Sequence, residues 1–296
     1  MNKSRIYKPD DAFKSKARAH QFAFRDDVLN VCCDERNPQV MLSAEAAKQG
    51  LMFFEGYRDL ICQRAGGFKE TALFANMLRS EHIPYNIFTP METDQCASFK
   101  LFSNIIGIDI DQILDIKIEF AGNRSREEYL NDGTSFDTYI SYIATDGNIG
   151  GIGIEVKYTE QGYRLGSKEK SDILNSNGKY LNITNASGYF HSEFNIECFV
   201  QDNDLRQIWR NHILGYAMIN KNDIMYFHHI HLYPEGNVHF RDKALPAYRK
   251  LLTDKGSSSF IELTYEKLLS DMSLYFVSDL QKRWIDYLRD RYLVEE

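Results

Sequence analysis

The chain has 296 residues, of which 43% are hydrophobic and 26% charged, and its formal net charge is −7. With an aromatic share of 13% this excludes a disordered chain and gives enough length to bury a substantial core in one large domain or two small ones. No apolar run approaches the ~20 residues of a membrane helix, the basic N-terminus lacks the apolar stretch of a secretory signal, and the acidic balance argues against a general nucleic-acid binder.

Residues 1–40 read as irregular, a basic arm with a short helix. Residues 1–25 hold Lys3, Arg5, Lys8, Lys14, Lys16, Arg18 and Arg25 against Asp10 and Asp11, and a second basic segment, 241–255, holds Arg241, Lys243, Arg249, Lys250 and Lys255. Two basic segments on an acidic body fit local phosphate contacts, and solvated faces give the same pattern. Ser43 opens a helix predicted to run to about Arg64, with Ser43 as N-cap and Glu45 in the first turn. Gly66-Gly67 breaks it, and helical character resumes over Phe68–Ser80. Pro84 and Pro90 frame a loop, and Ser98–Ile106 is a short helix. The five cysteines, Cys32, Cys33, Cys62, Cys96 and Cys198, contain no Cys-x-x-Cys pair. Reduced thiols in a cytoplasmic protein are the expectation, without structural zinc.

Ile113–Phe120 is β-like, Asn131-Asp-Gly133 is a turn, and Phe136–Ala144 is a strand rich in β-branched and aromatic residues. Thr145-Asp-Gly-Asn148 is a hairpin signal. In Gly150–Thr159 the large residues Ile152, Ile154, Val156 and Tyr158 alternate with Gly153, Glu155 and Lys157. Side chains of a strand point to opposite faces with period two, so one face is apolar and the other presents a carboxylate beside an ammonium. Residues 166–188, full of Ser, Asn and Gly, read as a long loop. Asp204–Lys221 is an amphipathic helix with Leu205, Ile208, Trp209, Ile213, Leu214 and Ala217 as its stripe and Arg206, Gln207, Arg210 and Asn211 off it. Ile224–Tyr233 is a strand with His229 and His231 on one face and His228 on the other; structural or surface roles are expected of all three. Its helical connection to the preceding strand predicts a parallel pair. From about Phe260 the chain reads as helical, over Tyr265–Met272 and Leu274–Tyr292. The class is α/β, a mixed sheet of four strands flanked by helices, with no boundary that splits it.

Asp137, in Ser135-Phe-Asp-Thr-Tyr139, precedes Glu155 across one hairpin. Two carboxylates converging from adjacent strands make a hard oxygen site suited to Mg²⁺ or Mn²⁺, and the Val156 carbonyl between Glu155 and Lys157 can be a further ligand. Lys157 alongside would orient or deprotonate a metal-bound water, or stabilise a phosphorane-like transition state. Gly150, Gly151 and Gly153 would leave room for a bulky backbone to approach. An ordinary ion pair on an exposed strand face gives the same Glu-x-Lys triplet. A two-residue Asp146-Gly147 turn would set Asp137 opposite Val156, on the wrong face. An odd-length loop or a bulge, for which Gly150-Gly151 is a natural place, must shift the register by one.

Asp137 followed by Glu155-Val-Lys157 resembles the PD-(D/E)xK nuclease superfamily, the restriction-endonuclease-like fold. Arg79-Ser-Glu-His-Ile-Pro-Tyr-Asn-Ile-Phe88 and Arg206-Gln-Ile-Trp-Arg-Asn-His-Ile-Leu214 resemble segments of a bacterial family of such nucleases. The resemblance covers roughly residues 66–233. It implies a four-stranded sheet between helices, a divalent metal and cleavage of nucleic acid. Asp137 and Glu155 would be metal ligands and Lys157 the catalytic lysine. Glu70, on the first helix, would assist a second metal through water, and Gln207 would face the site from the crossover helix. Two departures stand out: Phe136 takes the place of Pro before Asp137, and Asn211 stands where related nucleases often carry a Tyr four residues after the Gln.

The expectation is therefore a cytoplasmic, Mg²⁺- or Mn²⁺-dependent nuclease acting on DNA. It would be one domain over residues 1–296, with its core at about 66–233, an N-terminal helical and basic arm over 1–65, and C-terminal helices over 260–296. The oligomeric state stays open, a homodimer included. The competing readings are an inactive nuclease-fold protein that binds nucleic acid or serves in assembly, and an unrelated α/β domain with a surface ion pair.

Overall fold

The hairpin at Asp146-Gly147 sets the register of the centre of the molecule. In the computed structural model, which describes residues 10–35, 39–66 and 74–294, the loop has three residues. The Ala144 N–H donates to the Asn148 carbonyl at 2.9 Å, and the Gly147 N–H to the Ala144 carbonyl at 2.8 Å. Gly147 takes φ +83°, a left-handed conformation that glycine adopts without steric cost. The odd loop supplies the one-residue shift that the sequence demands. Strand β2 (Phe136–Ala144) pairs antiparallel with β3 (Ile149–Val156), from Ile143 opposite Ile149 to Thr138 opposite Ile154. The ladder runs through Gly150 and Gly151 unbroken, so the bulge expected there is not formed.

The glycines of β3 serve packing instead of a backbone approach. A Cβ on Gly150 would lie 2.2 Å from the Tyr142 ring, one on Gly151 2.2 Å from the Tyr139 hydroxyl, and one on Gly153 2.5 Å from the Phe136 ring. Aromatic residues of β2 fill the space these three positions vacate, which corrects the expectation that the space was kept for a ligand.

Five strands form the sheet, one more than expected, in the order β1-β2-β3-β4-β5. β1 (Ile110–Phe120) runs antiparallel to β2, whereas β4 (Tyr226–Tyr233) and β5 (Phe260–Thr264) extend the other edge in parallel. β5 is only five residues long and runs directly into the next helix, so its sequence reads as the start of that helix.

One face of the sheet carries Ile113, Ile116, Ile140, Ile152, Ile154, Val156, Ile230 and Leu232. It is covered by α1 (Ala12–Ala23), α5 (Gln95–Ile106), α12 (Tyr265–Tyr275) and α13 (Asp279–Tyr292), through Ala17, Leu101, Phe102, Leu268, Met272, Trp284 and Leu288. The other face is more aromatic, with Tyr139 and Phe227, and is covered by α9 (Arg206–Asn220) through Trp209, Ile213, Leu214 and Ala217. Gly215 of α9 sits where a Cβ would come within 2.0 Å of the Phe227 ring, so the helix lies close against the sheet.

Several helical boundaries differ from expectation. The helix from Ser43 stops after α2 (Ala44–Lys48), because Gly50 turns left-handed at φ +65°, and helix resumes only at α3 (Arg58–Ala65). In the expected helix over 68–80, residues 67–73 lie outside the described residues and 74–80 form turns, with Asn76 bridged to Met41. The expected loop between Pro84 and Pro90 contains α4 (Ile83–Phe88); Pro84 sits in its first turn, where an N–H is not needed. The expected loop over 166–188 holds α6 (Ser167–Ile173) and α7 (Lys179–Ser187), preceded by Gly166 and Gly178. Gly188 closes α7 in the left-handed conformation.

Gly153→Val should press a Cβ and its two methyl groups onto Phe136 and lower stability by about 1–3 kcal/mol, as overpacking of a filled core does. Gly133→Ala, with nothing within 4 Å of the added Cβ, is the control. Urea unfolding of both variants measures the difference, and equal stabilities would mean that Phe136 does not depend on Gly153.

Candidate active site

At the C-terminal end of β3 the chain leaves the sheet, and its backbone is pinned on every side. The Lys157 N–H donates to the Leu232 carbonyl at 2.8 Å, and the Tyr265 hydroxyl donates to the Lys157 carbonyl at 2.8 Å. The Glu160 carboxylate closes the bend, accepting the N–H groups of Tyr158, Thr159 and Ser80 at 3.0, 3.1 and 2.8 Å. Asn237 adds a bond from its amide to the Tyr158 carbonyl at 3.0 Å.

This frame holds two charged side chains in the interior. Glu155 is fully buried and Lys157 is 8% exposed. The Lys157 Nζ lies 2.5 Å from Glu155 Oε1 and donates to Gln207 Oε1 at 2.9 Å. Gln207 Nε2 donates to Glu155 Oε1, and Asn211 Nδ2 donates to Glu155 Oε2. Gln207 and Asn211 stand four apart on α9, so both amides face the same carboxylate.

Asp137 completes the group from β2. The β2–β3 ladder ends at Thr138 and Ile154, and extending its register by one residue sets Asp137 opposite Glu155. There the two strands part, and Asp137 Oδ2 accepts the Val156 N–H at 2.7 Å. The Val156 carbonyl points to the same edge as its N–H, as in any extended strand. Asp137 Oδ1 has no hydrogen-bond partner among the described residues.

Electrostatics follow from this crowding. Burial raises the Asp137 carboxyl well above the usual carboxylate range, and the neighbouring Glu155 raises it further; Lys157 and the Val156 N–H oppose them. Burial works against a charged Lys157, but Glu155 and Asp137 outweigh it and raise the Lys157 pKa above that of a free lysine. Lys157 is therefore an ammonium throughout the neutral range.

Glu119 joins the rim from β1, facing Asp137 in the β1–β2 register. It takes φ +55°, an uncommon conformation for a residue with a Cβ, and accepts the Ser135 hydroxyl at 3.2 Å. Burial and the charge of Glu155 raise its pKa.

Of the residues singled out in the sequence, Asp137, Glu155, Lys157 and Gln207 come together, with the Val156 carbonyl among them. Glu70 lies outside the described residues. His231 pairs with Glu155 in the β3–β4 register, and His229 lies on the same face. Both are fully buried, and burial lowers both pKa values, that of His229 to about 3. His228 is 7% exposed, and its pKa is lowered by burial to about 4. All three are neutral interior rings, not surface groups. Asn211, Tyr265, Glu160 and Glu119 were not foreseen as parts of the site. Only the four-residue spacing of Asn211 from Gln207 signalled one of them. No group of three or more His, Cys, Asp or Glu able to hold a metal occurs among the described residues; the candidate ligand set is two carboxylates and a carbonyl.

The family model of the PD-(D/E)XK nuclease superfamily matches residues 8–294, nearly the whole chain. No curated protein and no solved structure matches the chain at a significant level.

Because Asp137 has a folded-state pKa above its unfolded value near ~3.9, the folded chain holds that proton more tightly. Stability from this group is greatest below the unfolded pKa and falls as pH rises through the window up to the folded one. At pH 7 the ionised group is thus a net cost. Asp137→Asn keeps the shape and an acceptor for the Val156 N–H but removes the charge. It should raise the thermal midpoint of the metal-free protein at pH 7, and the gain should vanish toward pH 3. A lower midpoint at pH 7 would mean that Lys157 already compensates the carboxylate fully.

Proposed function

The chain belongs to the PD-(D/E)XK nuclease superfamily, and we propose that it is a divalent-metal-dependent nuclease that hydrolyses phosphodiester bonds of DNA. The observation that carries this reading is the convergence of Asp137, Glu155 and Lys157 at the point where β2 and β3 part, with one oxygen of Asp137 left unpaired. Mg²⁺ or Mn²⁺ would be held by Asp137, Glu155 and the Val156 carbonyl; when bound it would polarise the phosphate and acidify a water ligand. The donor set is all oxygen, which suits these hard cations. It also holds two carboxylates against one ammonium, so a cation relieves a real imbalance.

Glu155 and Asp137 raise the Lys157 pKa, which favours one of the two roles open to it. It acts as a fixed positive charge, orienting the attacking water and stabilising the charge that develops on the phosphate, and not as a base. Gln207 positions it through the bond at 2.9 Å. Glu70 remains the proposed helper of a second metal. In this reading the whole chain works as one domain, since Ala17 near one end and Trp284 near the other pack in the same core as Ile154 and Val156, next to Glu155.

The substrate path runs past α1. Phe13 lies against the Tyr158 ring with centroids 6.2 Å apart, and Gln161 Nε2 donates to Asp11 Oδ2 at 2.9 Å. The start of α1 therefore stands near the bend that follows Lys157, and the basic residues of that helix, Lys14 and the exposed Lys16, would contact phosphates. Arg18 is paired with Asp10 at 2.6 Å, so it contributes less to such contacts than the sequence suggests. We place the protein in the cytoplasm, where thiols stay reduced; among the described residues the cysteines form no disulfide. Among the described residues no helix is long and apolar enough to cross a membrane.

The test is Mg²⁺- or Mn²⁺-dependent cleavage of linear, supercoiled and single-stranded DNA, and of RNA. Lys157→Ala should lose roughly a hundredfold or more in rate, as when one transition-state contact is removed. It should also lower stability, because Glu155 is left buried without its cation; breaking a buried pair costs about 3–5 kcal/mol. Binding without cleavage by the wild type would favour an inactive nuclease-fold protein, and cleavage by Lys157→Ala at the wild-type rate would show that the site lies elsewhere.

A further inference from the structure

Resting on the nuclease reading, we infer that Asn211 is a positioning residue that decides which oxygen of Glu155 meets the metal. The argument is a count of lone pairs. An ionised carboxylate has about four acceptor positions, two on each oxygen. Oε1 has both filled, by Gln207 Nε2 and by Lys157 Nζ. Among the described residues, Oε2 accepts from Asn211 Nδ2 alone. One acceptor position on Glu155 is therefore open to a cation, and it lies on the oxygen that Asn211 holds.

The terminal torsion of a glutamate is soft and roughly two-fold, so a carboxylate plane needs a partner on each oxygen to stay fixed. Gln207 and Lys157 hold one end, and Asn211 holds the other. Asn211 is 1% exposed and sits on a helix whose neighbouring residues, Ile208 and His212, are equally buried, so its amide has little freedom to turn away. The residue is the counterpart on α9 of the partner that fixes a metal-ligating side chain from behind, and losing such a partner costs typically 10–100-fold in metal affinity or activity. Asn211 does not touch the reacting atoms; it acts through Glu155.

The experiment compares wild type, Asn211→Leu and Asn211→Gln. Leucine has a similar shape but no donor, and glutamine keeps a donor amide. Mn²⁺ affinity is measured by calorimetry on each protein, thermal midpoints are measured in chelator, and cleavage is followed across Mn²⁺ concentrations. Asn211→Leu should bind Mn²⁺ about 10–100-fold more weakly, with only a modest fall in midpoint from the donor that Glu155 Oε2 loses. Its cleavage rate should recover as Mn²⁺ is raised by the same factor. Asn211→Gln should regain most of the lost affinity. Unchanged Mn²⁺ affinity in Asn211→Leu overturns the assignment while leaving the nuclease reading intact. So do losses in both variants that track a fall in thermal midpoint and resist added Mn²⁺, because they would mark Asn211 as a packing residue only. A wild type that binds no Mn²⁺ overturns the nuclease reading itself, and the assignment with it.

Discussion

The ammonium of Lys157, buried against Glu155 and held by Gln207, is the contact on which the site is built. Placing a charged pair in the interior costs solvation on both sides, and only close geometry with satisfied hydrogen bonds recovers it. Here the recovery is nearly complete for Glu155, with two amides and one ammonium on its oxygens, and incomplete for Asp137, which has one N–H and one open oxygen. One carboxylate is fixed by the protein; the other keeps one oxygen without a hydrogen-bond partner among the described residues, the place where the proposed cation would add its charge.

The fold supplies that geometry by a few steric devices. A three-residue hairpin loop brings Asp137 into register with Glu155. Gly215 lets α9 settle on the sheet over Phe227, which puts the amides of Gln207 and Asn211 within reach of a carboxylate on the neighbouring strand. Tyr265, on the helix that follows the edge strand β5, fixes the Lys157 carbonyl from the other direction. The added fifth strand thus has a part in the site: it delivers α12 to the bend after β3.

Much of this was legible in the sequence, because alternation in a strand and turn chemistry are local signals. Ile152, Ile154 and Val156 against Glu155 and Lys157 showed which residues share a face, and Phe136–Ala144 was bounded as observed. The register problem could be posed from the turn alone, though not solved, since loop length depends on hydrogen bonds between Ala144 and Asn148. What failed was non-local. The glycines of β3 read as open space because the aromatic residues that fill it lie on another strand. Residues 166–188 read as loop because Ser and Asn are weak helix formers in isolation; packing of Ile173 and Tyr180 into the core decides otherwise. Arg206 lies off the apolar stripe of its helix, yet it is fully buried, donating to the carbonyls of Phe199 and Tyr163 and to Asn203 Oδ1. Asn86, in the segment whose resemblance pointed to nucleases, binds the Tyr292 hydroxyl and accepts from Trp284. These bonds tie α4 to α13.

Two carboxylates around a divalent cation is the claim that everything functional here depends on, and it is open to direct observation. Crystals grown with Mn²⁺ and measured at the manganese absorption edge would locate the ion by its anomalous scattering. The account predicts a peak between β2 and β3 within about 2.0–2.6 Å of an oxygen of Asp137 and of an oxygen of Glu155, the latter being Oε2. A fully occupied peak elsewhere on the protein, or saturating Mn²⁺ with no peak between those two side chains, would contradict it.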